Sequence, residues 1–378
     1  MPKSQIISAS ITDGGITNTD IADSTLTTTK LATPNLGRRN LVLNSKFSIA
    51  QRGTSFSGFS TSQYHLDRFR NGMGDTTARF TVTQASSGLN GFPHCLKYDC
   101  TTAESSLNNG NARMFLHTRF EGQDLQHIKK GTSDAEKVTV SFYVKSNKTG
   151  TYILELEDKD NTRQISKAYT INSANTWEQK IITFDADTTG AFDNDNNNSC
   201  HLTWHLIAGT NYQSGTLNTS WASQTHANRA VGNVNIGDST NNTWEITGIQ
   251  MEVGEQATPF EHRSFGEELS LCKRYFQSYT DNGSGGGYVT NGTIVVQRFY
   301  GTFRYQKQMR AIPSITSTSG GFNVQSSAAS VGSQSIDETH NPTIDSVRFR
   351  TGSNVNNSNG QGALLRFDTG TIEIDAEL

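Results

Sequence analysis

The stretch KVTVSFYVKSNKTGTYILELED, residues 137–158, decides the fold class because its first half alternates strictly between apolar and polar side chains. One face carries Val138, Val140, Phe142 and Val144. A period of two predicts a β-strand with one buried face. The NKTG turn then leads into a second strand, whose apolar face carries Leu154 and Leu156.

Similar short segments follow along the chain: SKAYTI (166–171), WEQKIITF (177–184), CHLTWHLIAG (200–209) and TWEITGIQMEV (243–253). Strands of this length, separated by turns rich in Asn, Asp and Gly, are typical of a β-sandwich. The composition agrees, since only 33% of the residues are hydrophobic and 18% are charged, the rest being mainly small or uncharged polar types. We therefore predict an all-β protein.

One helix is predicted in SFGEELSLCKRYFQS, residues 264–278. Ser264 and Glu267 form a capping box, and an apolar face follows at helical spacing, made of Phe265, Leu269, Cys272 and Phe276. Strand patterns resume after it and end in TIEIDAEL, where Ile372 and Ile374 share a face. The helix is thus expected to link a β-sandwich domain to a smaller C-terminal β-sandwich domain.

The first 31 residues repeat an aliphatic side chain at every fifth position: Ile6, Ile11, Ile16, Ile21, Leu26 and Leu31. Neither a helix nor a strand keeps a period of five on one face. Three copies winding around a common axis would bury these side chains as a trimer shaft, whereas the alternative is a disordered Thr-rich tail. Pro34 and Gly37 end the repeat, which gives three domains: 1–36, 37–263 and 264–378.

Charge and hydropathy exclude several functional classes. The formal net charge is −3, so a general nucleic-acid-binding surface is not expected, although a local basic patch is still open. There is no apolar run long enough for membrane insertion and no signal-peptide pattern, so we expect synthesis in a cytoplasm. The four scattered cysteines are expected to be buried free thiols; the alternative is a disulfide between Cys95 and Cys100.

Candidate catalytic and metal-binding groups are few. His201 and His205 lie four apart in a strand pattern, too far apart for a shared metal, and Glu155 and Glu157 are expected on a solvated polar face rather than in a hydrolase site. The Asp-rich segment 185–195 lacks EF-hand spacing, and cation binding there is left open. We predict no enzyme activity, no cofactor and no metal site.

The segment GTNYQSGTLNTSWASQTHANRAVG (209–232) combines aromatic rings with hydrogen-bonding side chains in a long loop between strands. Such residues bind glycans by stacking and hydrogen bonding. The candidate glycan-binding residues are Tyr212, Trp221, His226 and Arg229. The alternative for Trp221 is that its ring fixes the loop to the sandwich.

Several motifs together resemble one family. They are NLVLNSKFSIAQRGTSF (40–56), YHLDRF (64–69), VTVSFYVKSNKTGTY (138–152), NTWEQKIITF (175–184), NYQSGTLNTSWAS (211–223) and ITGIQMEVGEQATPFEHRSFGEELSLCKRYF (246–276). They are similar to bacteriophage tail-fibre-like virion proteins, in which a jelly-roll of the carbohydrate-binding-module type precedes a small β-domain. The Ile/Thr/Asp repeat at residues 11–31 is similar to the repeats before such domains.

The resemblance implies a homotrimeric, non-enzymatic virion fibre that presents β-sandwich domains to a host-surface glycan. Its expected partners are further copies of itself and other tail or head proteins of the virion, contacted through the N-terminal segment. The alternatives are a structural adaptor or capsid or tail decoration protein without a glycan ligand, and a polysaccharide-degrading enzyme. No binding residue is carried over from the family, because it offers no agreed motif.

Overall fold

A computed structural model describes residues 38–281, 287–327, 329–352, 355 and 359–378 of the protein. The proposed trimer-shaft residues lie outside the described part: Ile6, Ile11, Ile16, Ile21, Leu26 and Leu31. The described part is almost entirely β-structure, which confirms the predicted fold class.

The first part of the chain contributes thirteen described strands and one short helix. They are β1 (Ser55–Ser57), β2 (Gln63–Tyr64), β3 (Phe69–Gly74), β4 (Arg79–Leu89), β5 (Phe92–Thr102), β6 (Arg113–Glu121), β7 (Val138–Ser146), β8 (Gly150–Asp158), β9 (Arg163–Ile171), β10 (Glu178–Phe184), β11 (Asn198–Ala208), α1 (Thr210–Gln213), β12 (Ala222–Ser223) and β13 (Thr243–Val253). Three short 3₁₀ turns add Gly122–Asp124, Gln126–Ile128 and His226–Asn228.

These strands form two antiparallel sheets that pack as a sandwich. Sheet A has the order β1-β4-β5-β13-β7-β10, and sheet B has the order β12-β9-β8-β11-β6-β3-β2. The apolar face predicted for β7 is buried, and its Phe142 ring lies 5.7 Å from Trp204 and 5.2 Å from Tyr169, both on sheet B. Burial of such large rings between the sheets supplies much of the hydrophobic stabilisation of this domain.

The turn NKTG does not make a hairpin. It carries the chain from β7 in sheet A to β8 in sheet B, and the chain returns to sheet A only at β10. Within sheet B, β8 pairs with β9 on one side and β11 on the other. This places β8 in the interior of its sheet and fixes which of its side chains face outward.

The linking helix α2 spans Phe265–Cys272 and is capped by Ser264, whose Oγ accepts a hydrogen bond from the Glu267 N–H at 3.2 Å. The predicted apolar face is confirmed in part: Cys272 is buried, but Phe265 is 60% exposed, and the buried Phe276 already belongs to the next strand. Within the helix, Glu268 is buried together with Cys272. The carboxylate of Glu268 accepts the Asn44 N–H at 2.6 Å and faces Arg263, so a buried ion pair lies beside the predicted apolar residues.

The second β-region contains β14 (Phe276–Thr280), β15 (Tyr288–Val295), β16 (Arg298–Arg304), β17 (Ser314–Ser317), β18 (Phe322–Ser326), β19 (Ser330–Gln334), β20 (Ile336–His340), β21 (Ser346–Thr351), β22 (Gly362–Phe367) and β23 (Thr371–Asp375). Sheet C has the order β14-β23-β17, and sheet D has the order β19-β18-β22-β15-β16-β21-β20. They enclose a second core, to which Ile372 and Ile374 contribute as expected.

Residues Asn40–Leu378 form one compact unit that contains both cores. Polar contacts join the two regions: Arg274 donates to both carboxylate oxygens of Glu121 at 2.9 and 2.7 Å, and Arg310 donates to the Asn196 carbonyl at 2.6 Å. The cysteines are buried free thiols, as expected. None of the described helices has the length and apolar character needed to cross a membrane.

Candidate functional site

Sheet B carries two rows of polar side chains on the face directed away from the sandwich core. The first row crosses β9, β8, β11 and β6 through Ser166, Glu155, Thr203 and His117. The second row crosses the same strands through Gln164, Glu157, His201 and Arg119. We call these eight residues the polar face. Strand alternation requires this arrangement, because the neighbouring residues on β8 and β11 point into the core.

The polar face is not solvated, and this corrects the expectation for Glu155 and Glu157. Glu155 is fully buried and Glu157 nearly so. Arg229, from the loop between β12 and β13, donates from Nε to Glu155 Oε1 at 2.9 Å and from Nη2 to Glu155 Oε2 at 2.7 Å. The same Nη2 donates to Glu157 Oε2 at 3.0 Å. One guanidinium therefore holds both carboxylates, and the loop that carries it excludes water from them.

Two histidines complete this buried ionic cluster. His205 Nε2 lies 3.1 Å from Glu155 Oε2, and His201 Nδ1 lies 3.4 Å from Glu157 Oε2. Each imidazole thus faces its own carboxylate. Residues four apart on one strand are separated by about 13 Å, consistent with the expectation that the pair does not share a metal ion. Within the described ranges, three or more His, Cys, Asp or Glu side chains are nowhere grouped to hold a metal.

The cluster keeps both carboxylates ionised. Burial acts to raise the pKa of Glu155, but the Arg229 charge and the hydrogen bond with His205 outweigh it and lower that pKa. Burial likewise opposes ionisation of Glu157, yet contacts with His201 and Arg229 lower its pKa strongly. A general acid for glycoside hydrolysis needs a raised pKa. Neither carboxyl group meets that requirement.

Beside the cluster lies a cleft of about 210 Å³, lined by Arg113, Phe115, His205, Tyr212, His226 and Arg229. Three of the four candidate glycan-binding residues therefore line one cleft, namely Tyr212, His226 and Arg229. Arg113 and Phe115 were not among the residues predicted from the sequence. Their signal was present in β6, where Phe115 stands among Arg113, His117 and Arg119 on the polar side of the alternation.

Glycines on the neighbouring strand β3 shape the cleft floor. Phe115 is paired with Gly72, and a Cβ placed on Gly72 would lie 2.1 Å from the Phe115 ring. Arg113 is paired with Gly74, where a Cβ would lie 2.9 Å from the guanidinium. Both side chains therefore lie across the backbone of β3 rather than standing away from the sheet. The Phe115 ring becomes a half-buried apolar floor for the cleft.

The opposite wall comes from the long loop. Tyr212 lies on α1 and His226 begins the 3₁₀ turn His226–Asn228, and their rings are 5.8 Å apart in an edge-to-face arrangement. The Ala230 N–H donates to the Tyr212 carbonyl at 2.9 Å, which ties α1 to that turn. Arg113 Nη1 lies 3.2 Å from the Tyr212 hydroxyl and 3.2 Å from Asp75 Oδ2. Floor and wall are thus joined by a direct contact.

Trp221 does not line this cleft. Its indole N–H donates to the Asp185 carbonyl at 2.8 Å, and its ring lies 5.0 Å from the Lys130 ammonium. It borders a separate small cavity, together with Phe184 and Phe192. These contacts anchor the long loop to the edge of the sandwich, which is the structural alternative considered for this residue.

In the Asp-rich segment 185–195, protein cations contact two of the four carboxylates. Asp187 Oδ2 lies 2.8 Å from Arg163 Nε and 3.1 Å from Lys130 Nζ. Asp185 lies 3.1 Å from Lys167 Nζ, and Asp195 accepts the Asn197 N–H at 2.8 Å. These contacts hold the segment against the sandwich.

The sequence matches no protein-family model and none of the curated proteins. Solved structures similar to this chain include a family 11 carbohydrate-binding module of Clostridium thermocellum in complex with a mixed-linked tetrasaccharide (10% identity, 55% of this chain, 98% of that one, TM-score 0.27). Another is the module TmCBM61 with β-1,4-galactotriose (11% identity, 57% of this chain, 99% of that one, TM-score 0.29).

A third similar structure is the enzymatically active domain of tailspike protein 4 of bacteriophage CBA120 (11% identity, 57% of this chain, TM-score 0.27). The match spans only 21% of that chain.

Proposed function

We propose that the protein binds a neutral glycan in the cleft between Phe115 and the pair Tyr212 and His226. The observation that carries the proposal is the Phe115 ring, which is held across Gly72 as an apolar floor with aromatic side chains opposite. Sugar rings stack on such surfaces while neighbouring polar groups fix their hydroxyls. The Arg229 charge is compensated by Glu155 and Glu157, which favours an uncharged ligand.

The same geometry supports binding rather than hydrolysis. The two carboxylates are buried behind Arg229 and His205, and the pKa of each is lowered. Proton donation to a glycosidic oxygen from this pair is therefore unfavourable. The proposed activity is recognition without bond cleavage.

We further propose that the chain is a homotrimeric fibre component of a bacteriophage virion, with residues 1–36 as the shaft or attachment segment. The sequence resemblance and the five-residue period support this assignment. Weak binding at one cleft would gain avidity from three copies on one fibre and from several fibres on one particle. A structural adaptor or decoration protein is the rival assignment, and it predicts no glycan ligand.

We expect Phe115→Ala and Tyr212→Ala each to weaken glycan binding about tenfold or more, because each removes an aromatic contact from the cleft centre. The full chain is first screened on an array of neutral oligosaccharides, and the best ligand is titrated by calorimetry. Phe265→Ala is the matched control, since this ring is exposed on α2. Absence of any array ligand, or equal affinities for all three variants, would contradict the cleft assignment.

Light scattering after size exclusion tests the trimer. We expect the full chain to have three times the chain mass of 41.4 kDa, and a variant lacking residues 1–35 to lose that state partly or wholly. The reason is that a repeat of about thirty residues is too short to bury its aliphatic side chains alone. If both proteins are monomers, the shaft assignment is wrong and the adaptor assignment gains support.

A further inference from the structure

A second surface, remote in the chain from the cleft, carries a concentration of arginines. Three central strands of sheet D contribute them: Arg298, Arg304, Arg348, Arg350 and Arg366. Their alternating neighbours on these strands are buried in the second core, among them Phe299, Phe349 and Leu365. The arginines therefore project from the opposite face of the sheet, which we call the arginine face.

Among the described side chains, the carboxylate that pairs with arginines of this face is that of Asp337. Asp337 on β20 accepts from Arg298 Nη1 at 3.0 Å and from Arg350 Nη2 at 3.0 Å. Arg304 and Arg348 are both exposed, and across the described ranges of the chain neither forms a salt bridge with a carboxylate. This contrasts with the cleft, where the Arg229 charge is compensated by two buried carboxylates. Because the whole chain has a net charge of −3, the arginine face is a local exception.

Two tyrosines accompany the arginines. The Arg348 guanidinium lies 5.7 Å from the centre of the Tyr300 ring, and the Arg366 guanidinium lies 5.4 Å from the centre of the Tyr288 ring. Tyr288 is 67% exposed. A guanidinium placed over a ring is held in position while its N–H groups stay available at the edges. The Arg348 pair thus combines a flat apolar surface with a bidentate hydrogen-bond donor, whereas Arg366 Nη1 already donates to Gln325 Oε1 at 2.7 Å.

A shallow depression and a row of cross-strand neighbours connect the two arginine–tyrosine pairs. A shallow depression of about 430 Å³ lies beside Tyr288 and is bordered by Asn291, Gln325, Gly362 and Leu364. One cross-strand row then runs from Gly362 through Thr293 and Tyr300 to Arg350. A Cβ on Gly362 would lie more than 4 Å from every other described residue that is not its chain neighbour, so the described residues leave open space above the sheet at this position. An extended polymer can therefore lie along the face from Tyr288 to the exposed arginines.

We propose that the arginine face binds an anionic polysaccharide, a glycan chain bearing carboxylate or phosphate groups. Guanidinium groups bind both anions in bidentate fashion, while the tyrosine rings and the amides of Asn291 and Gln325 suit the sugar units between them. A nucleic acid fits less well, because its densely charged backbone requires extensive neutralisation, which two uncompensated arginines on a negatively charged chain do not supply. The site lies on the outer face of sheet D and does not depend on the neutral-glycan cleft.

The experiment titrates the full chain with four probes at two salt concentrations: polygalacturonate for carboxylates, phosphomannan for phosphates, dextran as a neutral glycan and oligo-dT as a nucleic acid. We expect binding of at least one of the two anionic polysaccharides, weakened by salt, and little binding of dextran or oligo-dT on this face. The polysaccharide that binds more tightly shows whether the site prefers carboxylate or phosphate groups. Tighter binding of oligo-dT than of both polysaccharides would overturn the proposal.

The double variant Arg304→Gln with Arg348→Gln is expected to weaken the anionic polysaccharide at least tenfold. Both side chains are exposed, so the melting temperature should stay unchanged. The matched control is Lys129→Gln with Lys137→Gln, which removes the same charge from exposed positions before β7. Equal losses in both double variants would show a non-specific charge effect and overturn the site. Phe115→Ala should leave this binding unchanged, so failure here is distinct from failure of the cleft.

Discussion

Replacing Glu377 with alanine is expected to lower the free energy of unfolding by about 3–5 kcal/mol, because it removes the partner of a buried arginine. The Glu377 carboxylate contacts Arg68 Nη1 and accepts the Arg68 N–H at 3.3 Å. Both side chains are only 3% exposed. Arg52 Nη1 approaches the same carboxylate at 3.4 Å. Without Glu377, the Arg68 charge would stay buried against Tyr275 with no carboxylate beside it in these contacts.

The loss of stability on removing the Glu377 carboxylate should be larger than the loss on removing the charge of an exposed neighbouring residue. Asp375→Asn is the matched control, since Asp375 pairs with the same Arg52 at 3.2 Å but has a side chain that is 40% exposed. A pair of that kind contributes about 0–1 kcal/mol. Urea unfolding of both variants measures the difference. Equal stabilities of the two variants would contradict the assignment of a buried, essential ion pair.

A double replacement separates the pair from its surroundings. Arg68→Met combined with Glu377→Leu removes both charges and leaves apolar side chains of similar size, and such replacements are often neutral or stabilising. We therefore expect the double variant to recover much of the stability that Glu377→Ala loses. This result would also show that the stability of the contact between the second core and the sandwich depends on charge compensation rather than on the shape of the side chains.

Strand alternation allowed much of this fold to be predicted from sequence. The residues Val138, Val140, Phe142 and Val144 face the core as their spacing requires. Likewise Glu155 and Glu157 occupy the face opposite Leu154 and Leu156. Strand alternation does not predict whether the outer face is exposed to solvent or covered by another part of the chain. Burial of the two glutamates depends on Arg229, which lies more than 70 positions further along the chain.

The cleft floor was unpredictable for a related reason. Phe115 and Gly72 belong to strands that are distant in sequence. Only the pairing of these strands shows that the Phe115 ring needs a residue without a side chain on the facing strand. Helix α2 illustrates the converse error, because a buried Glu268 is indistinguishable from an exposed one in a hydrophobicity pattern. Local pattern thus predicted elements and faces, whereas long-range ion pairs decided which polar faces are buried.

Replacing Arg229 with methionine is expected to produce a comparable loss of about 3–5 kcal/mol and to abolish binding in the cleft. The variant leaves the buried Glu155 carboxylate facing His205, whereas Glu157 keeps Lys159 at 2.8 Å and Gln224 at 2.6 Å. It also frees the loop that positions Tyr212 and His226, since Arg229 follows the turn His226–Asn228 directly. Arg113→Met is the matched control: it removes a half-exposed guanidinium from the same cleft, with an expected stability change below about 1 kcal/mol.

The contribution of Glu155 to the stability of the Arg229→Met variant should change with pH in the opposite direction to that in the wild type in the carboxyl range. In the wild type the pKa values of Glu155 and Glu157 are lowered, so their contribution to stability is present above the unfolded value of about 4.3 and is lost as the pH falls below it. Without Arg229, burial should dominate at Glu155 and raise its pKa, so this carboxyl group should favour unfolding as the pH rises above about 4.3, whereas Glu157 keeps its contact with Lys159. The contribution of Glu155 to the slope of stability against pH therefore reverses between wild type and variant.

Unfolding free energies measured from about pH 3 to about pH 7 test this reversal, because carboxyl groups titrate within that range. A second substitution, Glu155→Gln in the Arg229→Met background, removes the carboxylate that has lost its cationic partner and should restore part of the stability at pH 7. If Arg229→Met shows the wild-type slope and a loss no larger than that of Arg113→Met, the buried cluster does not hold the loop. The cleft would then lack the rigid wall on which glycan recognition at Phe115 depends.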